Sequence, residues 1–170
     1  KLSGRRNMMY MHHMKRFYDP GEPVLASAAQ AQAIVEVCLC HHARRSARAI
    51  TRLFDEALLP TGLQASQFNI LAAVAARDLT SAAEVSKILL VDRTTLSRNL
   101  KPLRDAGYIT TEGGAGRRPD VLSLTSSGRV VFSKAAALWR QAQGDLTERL
   151  GPGQAGLLLQ ALDKAAAVAG

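Results

Sequence analysis

Aromatic residues make up only 5% of this 170-residue chain, and cysteine occurs just twice. With so few rings beside a 47% hydrophobic share rich in Ala and Leu, packed helices are favoured over a sheet sandwich. Cys38 and Cys40 stand two apart and would point in different directions on a helix, which argues against a disulfide between them. No apolar run reaches the roughly 18 residues that a membrane-spanning helix needs, so no membrane partner is expected. Near the N-terminus, positive charge is not followed by an apolar segment: Met8, Met9, Tyr10 and Met11 give way to His12, His13, Met14 and Lys15. That pattern predicts no secretory leader and a cytoplasmic location. No Gly-rich phosphate loop follows a strand, and neither a G-x-S-x-G elbow nor an H-E-x-x-H pair occurs. Cys40 and His41 could mimic a nucleophile–base pair, but neighbours on a helix diverge by about 100°. The chain is therefore expected not to be an enzyme and to carry no cofactor.

Acid is the minority charge. Fourteen Asp and Glu stand against 22 Lys and Arg, a net +8 that favours a polyanionic partner. Part of that excess is local, because Lys1, Arg5, Arg6, Lys15 and Arg16 precede the first acid, Asp19. Residues 1–26 read as a basic, disordered tail, with Asp19-Pro20-Gly21 and Pro23 as breakers. The length suits one domain, or a small domain with an appended helical element.

Beyond the tail, apolar residues recur at helical spacing over residues 27–59, including Ile34, Val37, Ile50, Leu53, Phe54 and Leu58, until Pro60 and Gly62 end the pattern. A second helix is predicted over 65–77, with Phe68, Leu71, Ala72 and Ala75 on one face. Ser81-x-x-Glu84 is a capping box that starts a helix to about Leu89. Asp92 can cap the next helix, over 93–106, and Gly107 suits the left-handed residue after it. Pro102 inside that helix removes one hydrogen bond and is expected to bend its second half. Residues 108–112 and 121–125 are β-prone runs around a Gly- and Arg-rich tip, a hairpin pattern. A further helix begins at Ser126 or Ser127, Gly151-Pro152-Gly153 breaks it, and an apolar helix over 154–168 closes the chain.

The order helix, tight turn, helix, basic hairpin is the winged helix-turn-helix plan, in which the second helix enters the DNA major groove and the hairpin reaches the flanking minor groove or backbone. The helix over 93–106 divides to suit it. Leu96, Leu100 and Leu103 form a core-facing stripe. The other face carries Arg93, Thr94, Thr95, Ser97, Arg98, Asn99 and Lys101, whose donors, hydroxyls and amide can meet base edges and phosphates. At the hairpin tip, Arg117 and Arg118 among glycines can enter a narrow minor groove. A solvated helix face and a solubilising loop are the plain alternatives, and the capped helix before and basic hairpin after weigh against them. The last helix is apolar around so much of its surface, with Leu157, Leu158 and Leu159 consecutive, that a second subunit is its simplest cover.

These residues together resemble the MarR family of bacterial winged-helix regulators, over most of the chain from Ser27 onward. The resemblance rests on Gly62-Leu63 and Ser66-Gln67-Phe68, on Asp92-Arg93-Thr94-Thr95-Leu96-Ser97-Arg98, on Leu103-x-x-x-Gly107-Tyr108-Ile109, and on Leu122-Ser123-Leu124-Thr125-x-x-Gly128. It implies a mostly α fold: a winged helix-turn-helix DNA-binding domain at 61–125, with helices at 27–60 and 126–170 forming a dimerisation region. It further implies a homodimer on a pseudo-palindromic site in double-stranded DNA, acting as a repressor released by a small molecule, metal or oxidant. Gly116 stands where the family usually has Asp two residues before its minor-groove Arg, leaving Arg118 on a looser tip. Gln64 stands where a Thr or Ser cap is common, with Ser66 as a substitute.

A sensing role points to the first helix. Cys40 aligns with the reactive cysteine of the family's peroxide-sensing branch, and neighbouring positive charge would raise its thiolate fraction. Phe54 and Ala65, however, occupy positions where that branch has tyrosines, and a packed thiol is the alternative. Arg44, Arg45 and Arg48 could pair with the carboxylate of an organic effector such as an aromatic acid; the plain alternative is a solvated face or intersubunit ion pairs. Cys38 with His41 or His42 has two-ligand spacing on a helix but no partner cluster, so no metal site is expected. The remaining alternative is a winged helix that binds protein and no specific DNA.

Overall fold

The computed structural model describes residues 28–77, 80–113 and 121–169. The chain divides into two compact units, one ending at Ile50 and the other beginning at Thr51.

The first unit contains α1, Ala28–Val37, and the opening of α2, Leu39–Leu58. Sequence periodicity predicts one helix here, and the structure interrupts it at Cys38. The interruption is narrow: the Cys38 N–H still donates to Ile34 O (2.9 Å) and the His42 N–H to Cys38 O (3.1 Å), so the i→i−4 ladder carries across it. Ile34, Val35 and Leu39 remain exposed.

In the second unit the end of α2 buries Phe54 and Leu58, and Pro60 starts a short 3₁₀ turn, Leu59–Thr61. Gly62, at φ +71°, turns the chain out of it. The remaining elements are α3, Ala65–Ala75; β1, Thr80–Ser81; α4, Ala82–Leu89; α5, Arg93–Asp105; β2, Ile109–Glu112; β3, Val121–Leu124; α6, Ser126–Leu150; and α7, Gln154–Ala169. Leu71, Val74, Val85, Leu103 and Leu122 are fully buried in one core that α3, α4, α5, the sheet and α6 share. Phe68 stacks on Phe132 and on Trp139, fastening α3 to α6. The α7 helix buries none of its residues. Among the described residues no helix is long and apolar enough to cross a membrane.

The hairpin pairs antiparallel from Ile109↔Leu124 to Glu112↔Val121, and β1 adds a third strand through Thr80↔Leu122 and Ser81↔Val121. Two residues are too few for alternation to reveal, so periodicity does not predict this strand. A second difference concerns the start of α3. Gln64 itself is the N-cap, its N–H donating to Gln67 Oε1 (2.9 Å), while Asp55 Oδ1 accepts from the Ala65 N–H (2.7 Å). Ser66 therefore lies inside the first turn and does not cap it; its hydroxyl donates instead to Asn99 Oδ1 (3.2 Å).

Candidate nucleic-acid interface

The two helices of the helix-turn-helix are each started by local chemistry. Ser81 Oγ accepts from the Glu84 N–H (3.2 Å), and Glu84 Oε2 accepts from the Ser81 N–H (2.8 Å), a reciprocal capping box on α4. The bond from the Ser81 N–H, followed by one from the Ser81 hydroxyl to the same oxygen (3.0 Å), holds the Glu84 carboxyl below its ordinary pKa, with smaller help from Thr80 and Arg77. Asp92 caps α5: Oδ1 accepts from the Thr95 N–H (2.8 Å) and Oδ2 from the Thr95 hydroxyl (2.7 Å). The same two bonds, the backbone one first, lower the pKa of Asp92. Between the helices Leu90 adopts φ +51°, a left-handed conformation that glycine would take without strain.

Leu96, Leu100 and Leu103 are buried, as their spacing predicts, and Pro102 is tolerated within a helix that continues to Asp105. The opposite face carries the seven polar residues, and they fall into two groups. Arg93, Thr94, Ser97 and Arg98 are exposed, and their side chains form no hydrogen bond or ion pair with any described residue. Thr95 is tied to Asp92, Lys101 Nζ to Asp105 Oδ2 (2.6 Å), and Asn99 to both Ser66 and the Thr95 carbonyl. The first group leaves two guanidinium forks and two hydroxyls open at the N-terminal half of α5, where a positive helix end adds to their attraction for phosphate.

The wing is anchored at its base. Gly107, at φ +68°, ends α5 as its position predicts. Its carbonyl accepts from the Thr125 hydroxyl (2.6 Å) and the Ser127 hydroxyl (2.8 Å), which couples the end of α5 to the start of α6. The Leu-Ser-Leu-Thr-x-x-Gly run marks the spot, but its spacing does not predict that Thr125 and Ser127 hold the Gly107 carbonyl. Arg117 and Arg118 lie outside the described residues.

In the first unit, Cys40 is exposed and Cys38 half-buried, both as free thiols. Cys38 Sγ accepts from the His41 N–H (3.4 Å), and the His42 ring lies 3.0 Å from the Glu36 carbonyl. Arg44, Arg45 and Arg48 are exposed on α2 and pair with no described residue. Among the described residues no cluster of three or more His, Cys, Asp or Glu is placed to hold a metal ion.

Capped helices, an α5 face whose Arg93 and Arg98 have no partner among the described residues, and a three-stranded wing base define a winged helix-turn-helix protein. Comparison with known proteins gives the same class. A family model described as "MarR family" matches residues 61–118. The uncharacterised HTH-type transcriptional regulator YwoH of Bacillus subtilis (strain 168) is 30% identical over 96 residues, 56% of this chain and 70% of the relative. The transcriptional regulator MosR of M. tuberculosis, solved in complex with DNA, is 34% identical with a TM-score of 0.67, covering 78% of this chain and 98% of that one. A cysteine-to-serine mutant of MarR from E. coli, solved with operator DNA, has the same fold at 24% identity and a TM-score of 0.69, over 78% of this chain and 96% of that one. The chain belongs to the MarR family, and its general role is that of a DNA-binding transcriptional regulator.

Proposed function

We propose that this protein is a homodimeric, sequence-specific repressor, each subunit laying α5 in the major groove of one half of a pseudo-palindromic operator. The observation that carries this reading is the row of Arg93, Thr94, Ser97 and Arg98, exposed and without side-chain partners among the described residues, at the start of a helix that Asp92 caps with two bonds. Arg or Lys donors suit guanine edges, and the hydroxyls suit either bases or phosphates. Arg117 and Arg118, which fall between β2 and β3 in the sequence, would meet the minor groove beside it. The complex of the 34%-identical MosR with DNA supports the same use of this fold.

Dimerisation is supported by α7, where Leu157, Leu158, Leu159 and Leu162 stay exposed with no buried residue on the helix. Two-fold symmetry would set the two α5 helices about one DNA turn, ~34 Å, apart. Release is assigned to α2. Arg44, Arg45 and Arg48, which pair with no described residue, offer guanidiniums to a carboxylate-bearing small molecule. An oxidant would instead act at the exposed thiol of Cys40.

Selection of genomic fragments by the purified protein, run beside Arg118→Ala, tests this function. Recovery of a pseudo-palindrome by the wild type is expected, with weaker recovery of the same site by the variant. Recovery of random, salt-sensitive fragments alone would refute sequence-specific repression.

A further inference from the structure

Three of the seven polar residues on the outer face of α5 are held by the protein itself, and Asn99 is held most completely. Its Oδ1 accepts from the Ser66 hydroxyl (3.2 Å), 33 residues earlier in the chain, and its Nδ2 donates to the Thr95 carbonyl (2.9 Å). The carbonyl of Thr95 can only accept, which fixes the amide orientation: the reverse orientation would set two oxygens against each other. An asparagine that reads adenine must offer a donor and an acceptor side by side to the base edge. Here one of each is already used, and the two bonds fix the plane of the amide.

Ser66 sits in the first turn of α3, so its bond joins that turn directly to the middle of α5. One turn earlier on α5, Thr95 carries two bonds to the capping Asp92. Asn99 thus continues a line of contacts from the α5 cap, through the Thr95 carbonyl, to the start of α3. The side chains of Arg93, Thr94, Ser97 and Arg98 form no hydrogen bond within that line, yet the line sets the angle at which the helix presents them.

We propose that Asn99 is a positioning residue that clamps α5 to α3 through Ser66, and that base reading falls to Arg93, Thr94, Ser97 and Arg98. The inference rests on the DNA-reading role of α5 proposed above, and it withdraws Asn99 from the expected set of base contacts. Its own signature is coupling between two residues that lie on different helices, only one of which belongs to the recognition helix.

The test uses the full chain and four variants: Ser66→Ala, Asn99→Ala, the double variant and Ser66→Thr. Affinity is measured on the selected operator, on a set with each base pair substituted in turn, and on random DNA. Amide hydrogen exchange is followed in the free protein. Each alanine variant is expected to lose about three- to tenfold in operator affinity, the scale of one hydrogen bond. The loss should be even across the substituted set, leaving base preferences unchanged. The double variant should lose no more than Asn99→Ala alone, and Ser66→Thr, which keeps the hydroxyl, should recover wild-type binding. Amides of residues 95–99 should exchange faster in Ser66→Ala. Loss of preference at one base pair in Asn99→Ala, with Ser66→Ala unaffected, would overturn the clamp and make Asn99 a base reader. Additive losses with unchanged exchange would overturn it equally. If the wild type bound operator and random DNA alike, the sequence-specific reading would fall, and exchange in the free protein would still decide the clamp.

Discussion

At the scale of single residues, two backbone positions carry more of the fold than their side chains suggest. Gly128, in the first turn of α6, lies so close to the carbonyl of Tyr108 that a Cβ there would collide with backbone. That carbonyl also accepts from the Thr125 N–H (3.1 Å), so it has little room to retreat. Gly128→Ala should therefore destabilise the protein by about 2–3 kcal/mol, seen as a lower urea midpoint; an unchanged midpoint would show that the turn yields. Leu90 is the converse case, a leucine that stands 75% exposed in a left-handed conformation. Little packing is lost by removing it, and Leu90→Gly should stabilise by about 0.5–1 kcal/mol, the strain relieved less the entropy that glycine adds to the unfolded chain. Equilibrium denaturation decides the sign. Gly128 was legible only as part of a motif. The conformation of Leu90 was not legible at all, because leucine carries no turn signal and the helix-turn-helix geometry imposes it.

At the scale of elements, the caps of α4 and α5 tie stability to acid. Glu84 and Asp92 both have lowered pKa values in the fold, so the unfolded chain takes up their protons first as pH falls. Their contribution is complete above the ordinary carboxylate range and disappears as pH drops through the lowered values. The double variant Glu84→Gln, Asp92→Asn should flatten the fall in stability between about pH 5 and pH 2 relative to the wild type. Parallel curves for the two proteins would contradict the role of the caps. These helix starts were legible because capping is local: Ser81 and Glu84 are three apart, as are Asp92 and Thr95. The Leu96, Leu100 and Leu103 stripe was legible for the same reason, through the helical period. What the sequence hid is non-local. Pairing of Thr80 with Leu122 and the bond from Ser66 to Asn99 join residues 42 and 33 positions apart, and no window along the chain contains either pair. The division of the α5 face is hidden likewise, since periodicity marks Thr95, Asn99 and Lys101 as outward and only partners reveal them as engaged.

At the scale of the whole molecule, the exposed leucines of α7 and the excess of positive charge call for two different partners. If α7 is the dimer contact, Leu158→Asp with Leu162→Asp should give a monomer by light scattering. Operator affinity should then fall on the order of 100-fold, because a second half-site no longer binds at high effective concentration. A double variant that keeps the dimer mass would place the interface elsewhere.

The most direct measurement is the affinity of wild type and Arg98→Ala for the selected operator, its single base-pair substitutions and random DNA, across a salt series. The expected wild-type result is a linear fall of log affinity with log salt and a preference of about 1–3 kcal/mol at the base pairs α5 reads. Arg98→Ala should erase that preference at one base pair in each half-site while keeping most of its affinity for random DNA. Equal losses on operator and random DNA would contradict base reading by α5 and leave Arg98 a phosphate contact.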